Sequence, residues 1–176
     1  MEFNELIKER RSIRKYLPGE DISDETLMEL FAGVQLAPSW KNSQTARYYV
    51  VRGEEMLDIQ KTAMPEFNAV RSRNAAALIV SAFKENISGF TDGKPDNQPA
   101  NHWGAHDLGL ANAYLVLNAK NLGYDTLIMG LRDEELIRNK LCIPEDEMIM
   151  AIIAIGKRDG EAVFKPRIET EEIVRL

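Results

Sequence analysis

The residues in this sequence best suited to chemistry are two groups of cations. Arg10, Arg11, Ser12, Arg14 and Lys15 crowd one short stretch, and Lys165 and Arg167 flank Pro166 far along the chain. The chain as a whole is acidic, with a formal net charge of -6, so cation concentrated at two points suits a local anion. The planar fork of arginine donates two parallel hydrogen bonds to a phosphate, and Ser12 adds a compact hydroxyl donor. The alternation of Arg10, Ser12 and Arg14 would place three donors on one side of an extended segment. The same residues also read as a solvated charged face whose cations complement a helix C-terminus, and spacing alone leaves both readings open.

Other candidate groups carry less. His102 and His106 stand four apart, the spacing of two metal ligands on one helix face, with Asp107 adjacent. No glutamate follows His102 as a metalloprotease base and no further histidine exists, so no metal site is expected; His106 and Asp107 read as polar residues at a helix start. His102 is a lesser candidate for proton donation. The lone Cys142 precedes Ile143 and Pro144 in an apolar setting and is expected to be an inert buried thiol. Gly104, Gly109 and Gly123 do not make a dinucleotide fingerprint, because no strand precedes them at the required spacing. Trp40 and Trp103 read first as core or interface residues.

These residues need a scaffold, and the chain of 176 residues is long enough for one domain with a sizeable core. An acidic chain gains nothing from releasing phosphate counterions, so general nucleic-acid binding is not expected. A single cysteine excludes an intramolecular disulfide and fits a reducing, cytoplasmic setting. The charged stretch that begins MEFNELIKERR lacks the apolar region of a signal peptide, and no uncharged run approaches the roughly 18 residues of a membrane span.

Phe3, Leu6 and Ile7 give a first helix an apolar face, and Leu27, Leu30, Phe31 and Val34 recur at helical spacing in a second, capped by Ser23 or Asp24 and ended by Pro38. Strands are expected at 48–51, 77–83, 126–129 and 150–155, the last fully apolar and therefore central. Helices are expected at 54–63, at 105–122 with Gly123 as the C-terminal glycine, and from an Asp133 cap to Leu141. Residues 88–101 are rich in Gly, Pro, Asn and Asp and read as a loop. The tail 165–176 carries Ile168, Ile173, Val174 and Leu176 without a core of its own, which suggests docking on a second copy. The fold class is α+β, a central mixed β-sheet flanked by helices, with a helical dimer interface.

Five segments, in order, resemble the nitroreductase family. Glu9-Arg-Arg-Ser-Ile-Arg-Lys-Tyr16 is similar to its opening motif, and Ala37-Pro-Ser-Trp-Lys-Asn-Ser-Gln44 resembles its Pro-Ser-x-x-Asn-x-Gln loop. Asp107-Leu-Gly-Leu-Ala-Asn112 resembles the central helix, Met129-Gly-Leu131 the turn over the flavin ring, and Lys165-Pro-Arg167 the closing basic pair. The resemblance covers essentially the whole chain, as a single FMN-binding domain.

The resemblance implies an intertwined homodimer with FMN sites built from both subunits. It also implies ping-pong hydride transfer from NADH or NADPH, through flavin N5, to a small electron-poor acceptor such as a nitroaromatic or quinone. It places Arg10, Arg11, Ser12 and Arg14 on the FMN phosphate, ribityl chain and pyrimidine edge, with Lys165 and Arg167 closing on the phosphate. Pro38, Ser39, Trp40, Asn42 and Gln44 would approach the flavin from the other subunit. Asn68 would bond the pyrimidine side, Arg71 would stand near N1 and O2, and Met129, Gly130 and Leu131 would bring backbone groups to the ring.

Two departures bear on the acceptor. Thr45 and Ala46 stand where the family usually has Pro-Trp, and Trp40 stands where small residues are common. Trp40 and the loop residues Phe90, His102 and Trp103 are therefore the candidates for the substrate pocket. Other reduced-flavin chemistry on the same fold, dehalogenation or flavin fragmentation, and a non-catalytic flavin-binding module are the alternative readings.

Overall fold

The computed structural model describes residues 2–176; Met1, which opens the charged N-terminal stretch, lies outside the described residues. Four strands form the central sheet: β1 (Ala46–Val51), β2 (Ala77–Lys84), β5 (Asp125–Met129) and β6 (Glu147–Gly156). Their order across the sheet is β1-β2-β6-β5. The apolar run expected to be central is so: β6 pairs with β2 on one side and β5 on the other. All three pairings are antiparallel. The parallel component of the expected mixed sheet is the bridge from Ser12 to Thr126 at the β5 edge.

Alternation along the strands builds a core on each face of the sheet. Leu78 and Val80 of β2, with Ile152 and Ala154 of β6, meet Met56 and Ile59 of α3 (Gly53–Thr62) and Ile137 of α6 (Glu134–Leu141). Ile79, Ile153 and Ile155 point the other way. They meet Leu27, Leu30 and Val34 of α2 (Asp24–Val34) and Ala111, Leu115 and Ala119 of α5 (His102–Asn121). Among the described residues no helix is long and apolar enough to cross a membrane.

Local signals account for most boundaries. Ser23 caps α2, its hydroxyl accepting the Thr26 N–H at 3.2 Å, and Asp133 caps α6 through the Leu136 N–H at 3.0 Å. Ser23→Ala is expected to cost about 1 kcal/mol, read as a lower midpoint in urea unfolding with an unchanged slope. The second helix stops at Val34, ahead of Pro38.

The loop expected at 88–101 contains a small hairpin, β3 (Phe90–Thr91) and β4 (Lys94–Pro95). Its turn residues Asp92 and Gly93 have φ of 50° and 73°, the left-handed pair a two-residue hairpin turn demands. Helix α4 (Glu66–Arg71) and the short α7 (Thr170–Ile173) were not expected from periodicity.

Cys142 corrects the sequence reading. The thiol is exposed rather than buried, because Cys142 is the left-handed C-cap of α6 (φ 52°) and the buried position passes to Ile143.

Helix α1 (Phe3–Glu9) forms as expected, but none of its residues is buried and Phe3 is 65% exposed. Phe164, Ile168, Ile173 and Val174 of the C-terminal segment are likewise exposed. Tyr114 on the outer face of α5 and Leu36 after α2 add to this uncovered apolar surface.

Candidate functional site

Residues 12–14 run extended beside β5, with the Ile13 N–H donating to Thr126 O at 3.0 Å. Ile13 turns into the core while Ser12 and Arg14 stay exposed, the alternation an extended strand requires, and Tyr16 is buried beyond it. This places Arg14 at the mouth of a cleft of about 180 Å³ lined by Phe67, Asn68, Arg71 and residues 127–131. Helix α4 supplies Phe67, Asn68 and Arg71; β5 and its exit supply Met129, Gly130 and Leu131.

The backbone leaving β5 is held by side chains. Buried Asn68 donates through Nδ2 to Leu131 O at 3.1 Å. Arg132 donates to Gly130 O at 2.7 Å and to Ile149 O, and it pairs with Glu134 at 3.1 Å. Nothing lies within 4 Å of the point a Cβ on Gly130 would occupy, so a glycine here leaves open space over the cleft. Arg71 stacks its guanidinium on Phe67 at 5.2 Å.

Beside this cleft the cations gather. Arg10 and Arg11 meet Arg167 from the tail, and Arg10 is held below the ordinary arginine value first by burial and then by repulsion from Arg11 and Arg167. Arg11 donates to Arg10 O at 2.8 Å and lies over the Phe164 ring, which ties the tail to the end of α1. Arg14 bonds Ser12 O and Arg167 bonds Lys165 O. Among the described residues, no carboxylate pairs with Arg10, Arg11, Arg14, Lys165 or Arg167. Clustered like charges without counter-charge are costly, and an anion bound there would relieve them. A cavity of about 330 Å³ between Ser12–Lys15 and residues 159–163 adjoins the cluster.

The second group stands elsewhere. Pro38, Ser39 and Gln44 line a cavity of about 260 Å³ with Phe31, Tyr48 and Ala111. Trp40 and Asn42 lie on the same loop, in a short 3-10 turn. Lys41, Asn42 and Gln44 all have left-handed φ, of 48°, 56° and 49°, each costing an L-residue about 1 kcal/mol. The Ser39 hydroxyl accepts the Gln44 N–H at 3.0 Å, and the Asp107 carboxylate accepts the Trp40 N–H at 2.8 Å. Lys41 reaches Thr91 and Asp96 of the hairpin region at 2.8 and 3.0 Å.

Trp40 and Trp103 pack with ring centroids 4.5 Å apart, and Trp103 donates to Asn97 at 2.7 Å. Phe90 is half-buried at the hairpin start and His102 is exposed at the start of α5. The tryptophans are thus in mutual contact rather than in the core. Among the described residues no group of three or more His, Cys, Asp or Glu could hold a metal ion.

The fold brings Arg14, Asn68, Arg71, Met129, Gly130 and Leu131 around one cleft at the β5 edge, with Ser12 bridged to Thr126 there, Arg10 and Arg11 leading into the same run, and Arg167 near Arg10; among the described residues Lys165 meets this group only through its carbonyl, which accepts from Arg167. It carries Pro38, Ser39, Trp40, Asn42 and Gln44 to the β1 edge. Three inter-strand spacings of roughly 4.8 Å, about 14 Å in all, separate the edges. One chain therefore holds the two groups apart. Sequence reasoning missed Phe67, which lines the cleft, and Arg132, which holds its backbone; Arg132 directly follows the Met129–Leu131 motif, the signal that could have found it.

A profile described as the nitroreductase family matches residues 7–157. A relative from Archaeoglobus fulgidus, provisionally named an NADH dehydrogenase/NAD(P)H nitroreductase, is 31% identical over 90% of this chain and 87% of its own length. A nitroreductase family protein from Clostridium novyi NT is 28% identical with a TM-score of 0.77, covering 90% of this chain and 86% of that one. A protein from Exiguobacterium sibiricum 255-15, provisionally named a nitroreductase and solved in complex with FMN, shares the fold. It is 22% identical with a TM-score of 0.83, over 100% of this chain and 97% of that one.

Proposed function

Because the chain belongs to the nitroreductase family, we propose that it is an FMN-dependent oxidoreductase working as a homodimer. When bound, FMN would take hydride from NADH or NADPH and pass it to a nitroaromatic, quinone or similar electron-poor acceptor. The observation that carries this reading is the group of cations without carboxylate partners beside the cleft at the end of β5.

The residues present fit that cofactor. Arg10, Arg11, Ser12, Arg14, Lys165 and Arg167 would hold its phosphate and ribityl chain. Asn68 and Arg71 would hold the polar edge of the ring system, where a fixed cation favours negative charge. Gly130 leaves the space a flat ring needs, and the backbone of 129–131 would offer N–H groups to it.

Pro38, Ser39, Trp40, Asn42 and Gln44 would reach the same flavin only from a second copy, because they lie at the opposite sheet edge. The exposed apolar residues of α1, the outer face of α5 and the tail 165–176 supply surface for that second copy to cover. Docking of the tail on that second copy is part of the proposal.

Initial rates with menadione or nitrofurazone, at several fixed donor concentrations, test the mechanism. Parallel double-reciprocal lines are expected, since donor and acceptor would use one flavin face in turn. Intersecting lines would contradict the ping-pong order.

A further inference from the structure

Asp107 lines the cavity beside the 38–44 loop, and its carboxylate is almost fully buried and gathers groups from separate segments. One oxygen accepts the Trp40 N–H at 2.8 Å and the Ser88 hydroxyl; the other faces His106 Nδ1 at 3.2 Å. Ser88, itself buried, stands 3.1 Å from the Ser43 hydroxyl. Both ends of the 40–43 turn thus lead back to one carboxylate on α5.

That turn needs such a constraint. Lys41, Asn42 and Gln44 occupy left-handed backbone that L-residues leave unless their surroundings fix them. Asp107 supplies an acceptor for the N–H that opens the turn. Ser88 opens the segment leading to the β3–β4 hairpin, and Lys41 joins turn and hairpin through Thr91 and Asp96. The Trp40–Trp103 ring pair closes the same arrangement from the side, with the His106 ring edge on Trp103 at 5.4 Å.

The geometry points to Asp107 as a positioning residue that locks the 38–44 loop to the base of the hairpin and so sets the Trp40–Trp103 wall against which an aromatic acceptor is held. The acceptor part rests on the function proposed above; the locking part does not.

Full-length Asp107→Ala and Asp107→Asn separate the two parts. Asparagine keeps an oxygen for the Trp40 N–H and the Ser88 hydroxyl, so it is expected to behave like the parent. Loss of that acceptor in Asp107→Ala is expected to speed tryptic cleavage after Lys41 by about tenfold, and to raise KM for nitrofurazone about tenfold per flavin-loaded subunit with kcat little changed. Cleavage equal to the parent in Asp107→Ala would overturn the locking role, whatever the cofactor proves to be. Faster cleavage with unchanged KM would overturn the placement of the loop at the acceptor. An Asp107→Asn protein as impaired as Asp107→Ala would overturn the hydrogen-bond basis of both. Should Asp107→Ala not fold, Ser88→Ala removes a single donor; cleavage and KM shifted in the same direction support the role, and both unchanged would overturn it.

Discussion

Arg10→Ala is expected to weaken FMN binding by about 1.5–3 kcal/mol, the worth of one charge-assisted hydrogen bond, or roughly 12- to 160-fold in Kd. Arg10 is half-buried beside Arg11 and Arg167, and burial and the two neighbours all act against its charge. Among the described residues no carboxylate offsets that cost. Removing the guanidinium therefore relieves the free protein while removing a donor from the phosphate. The two effects have opposite signs, which makes the experiment discriminating. The melting temperature of the FMN-free variant should equal or exceed that of the parent, while fluorescence titration shows weaker FMN binding. Unchanged FMN affinity would remove Arg10 from the site, and a lower melting temperature without FMN would make it a structural residue.

Gly130→Val is expected to prevent FMN from seating, at a cost of about 3 kcal/mol or more in binding, while leaving the fold intact. Gly130 leaves β5 with no left-handed φ, and a Cβ there meets nothing within 4 Å. The first side-chain carbon therefore meets no neighbour in the free protein, whose stability should stay within about 0.5 kcal/mol of the parent. With FMN bound, that space is where the ring would lie. The backbone cannot swing aside easily, because Asn68 holds Leu131 O and Arg132 holds Gly130 O. A Gly130→Val protein that loads FMN like the parent would refute the placement of the ring over this glycine.

The parts of the fold legible in the sequence were those written in short-range pattern. The apolar run 150–155 announced a central strand because, from Ala151 on, both its faces are buried, and Ser23 and Asp133 announced helix starts because capping is local. Helix α4 escaped because Glu66–Arg71 is too short to show a helical period. The Asp92-Gly93 turn was present in the sequence but lay inside a polar stretch that read as a loop throughout. Cys142 misled because its neighbours are apolar while its own backbone, at a left-handed helix end, turns the thiol outward.

The site divides in the same way. The alternation of Arg10, Ser12 and Arg14 is local, and the extended run beside β5 realises it. The approach of Arg167 to Arg10 joins distant parts of the chain; composition marked both groups as cationic, and the family resemblance brought them to one phosphate. That the 38–44 loop and the 129–131 turn fall at opposite sheet edges depends on strand order, which no single segment encodes. The resemblance implied that the loop serves the other subunit, which stays part of the proposal; the β1-β2-β6-β5 order sets loop and turn at opposite edges. The buried role of Asp107 was half legible: it read as a polar residue at a helix start, but the segments it joins could be seen only once folded.

The central claim is that this chain binds FMN and exchanges hydride with a nicotinamide. A visible absorption spectrum of the purified protein, reconstituted with FMN if colourless, followed by anaerobic addition of NADH and then NADPH, tests it most directly. A bound flavin spectrum is expected that bleaches with at least one of the two and recovers on adding menadione. A protein that takes up no FMN, or a bound flavin that resists both donors, would contradict it.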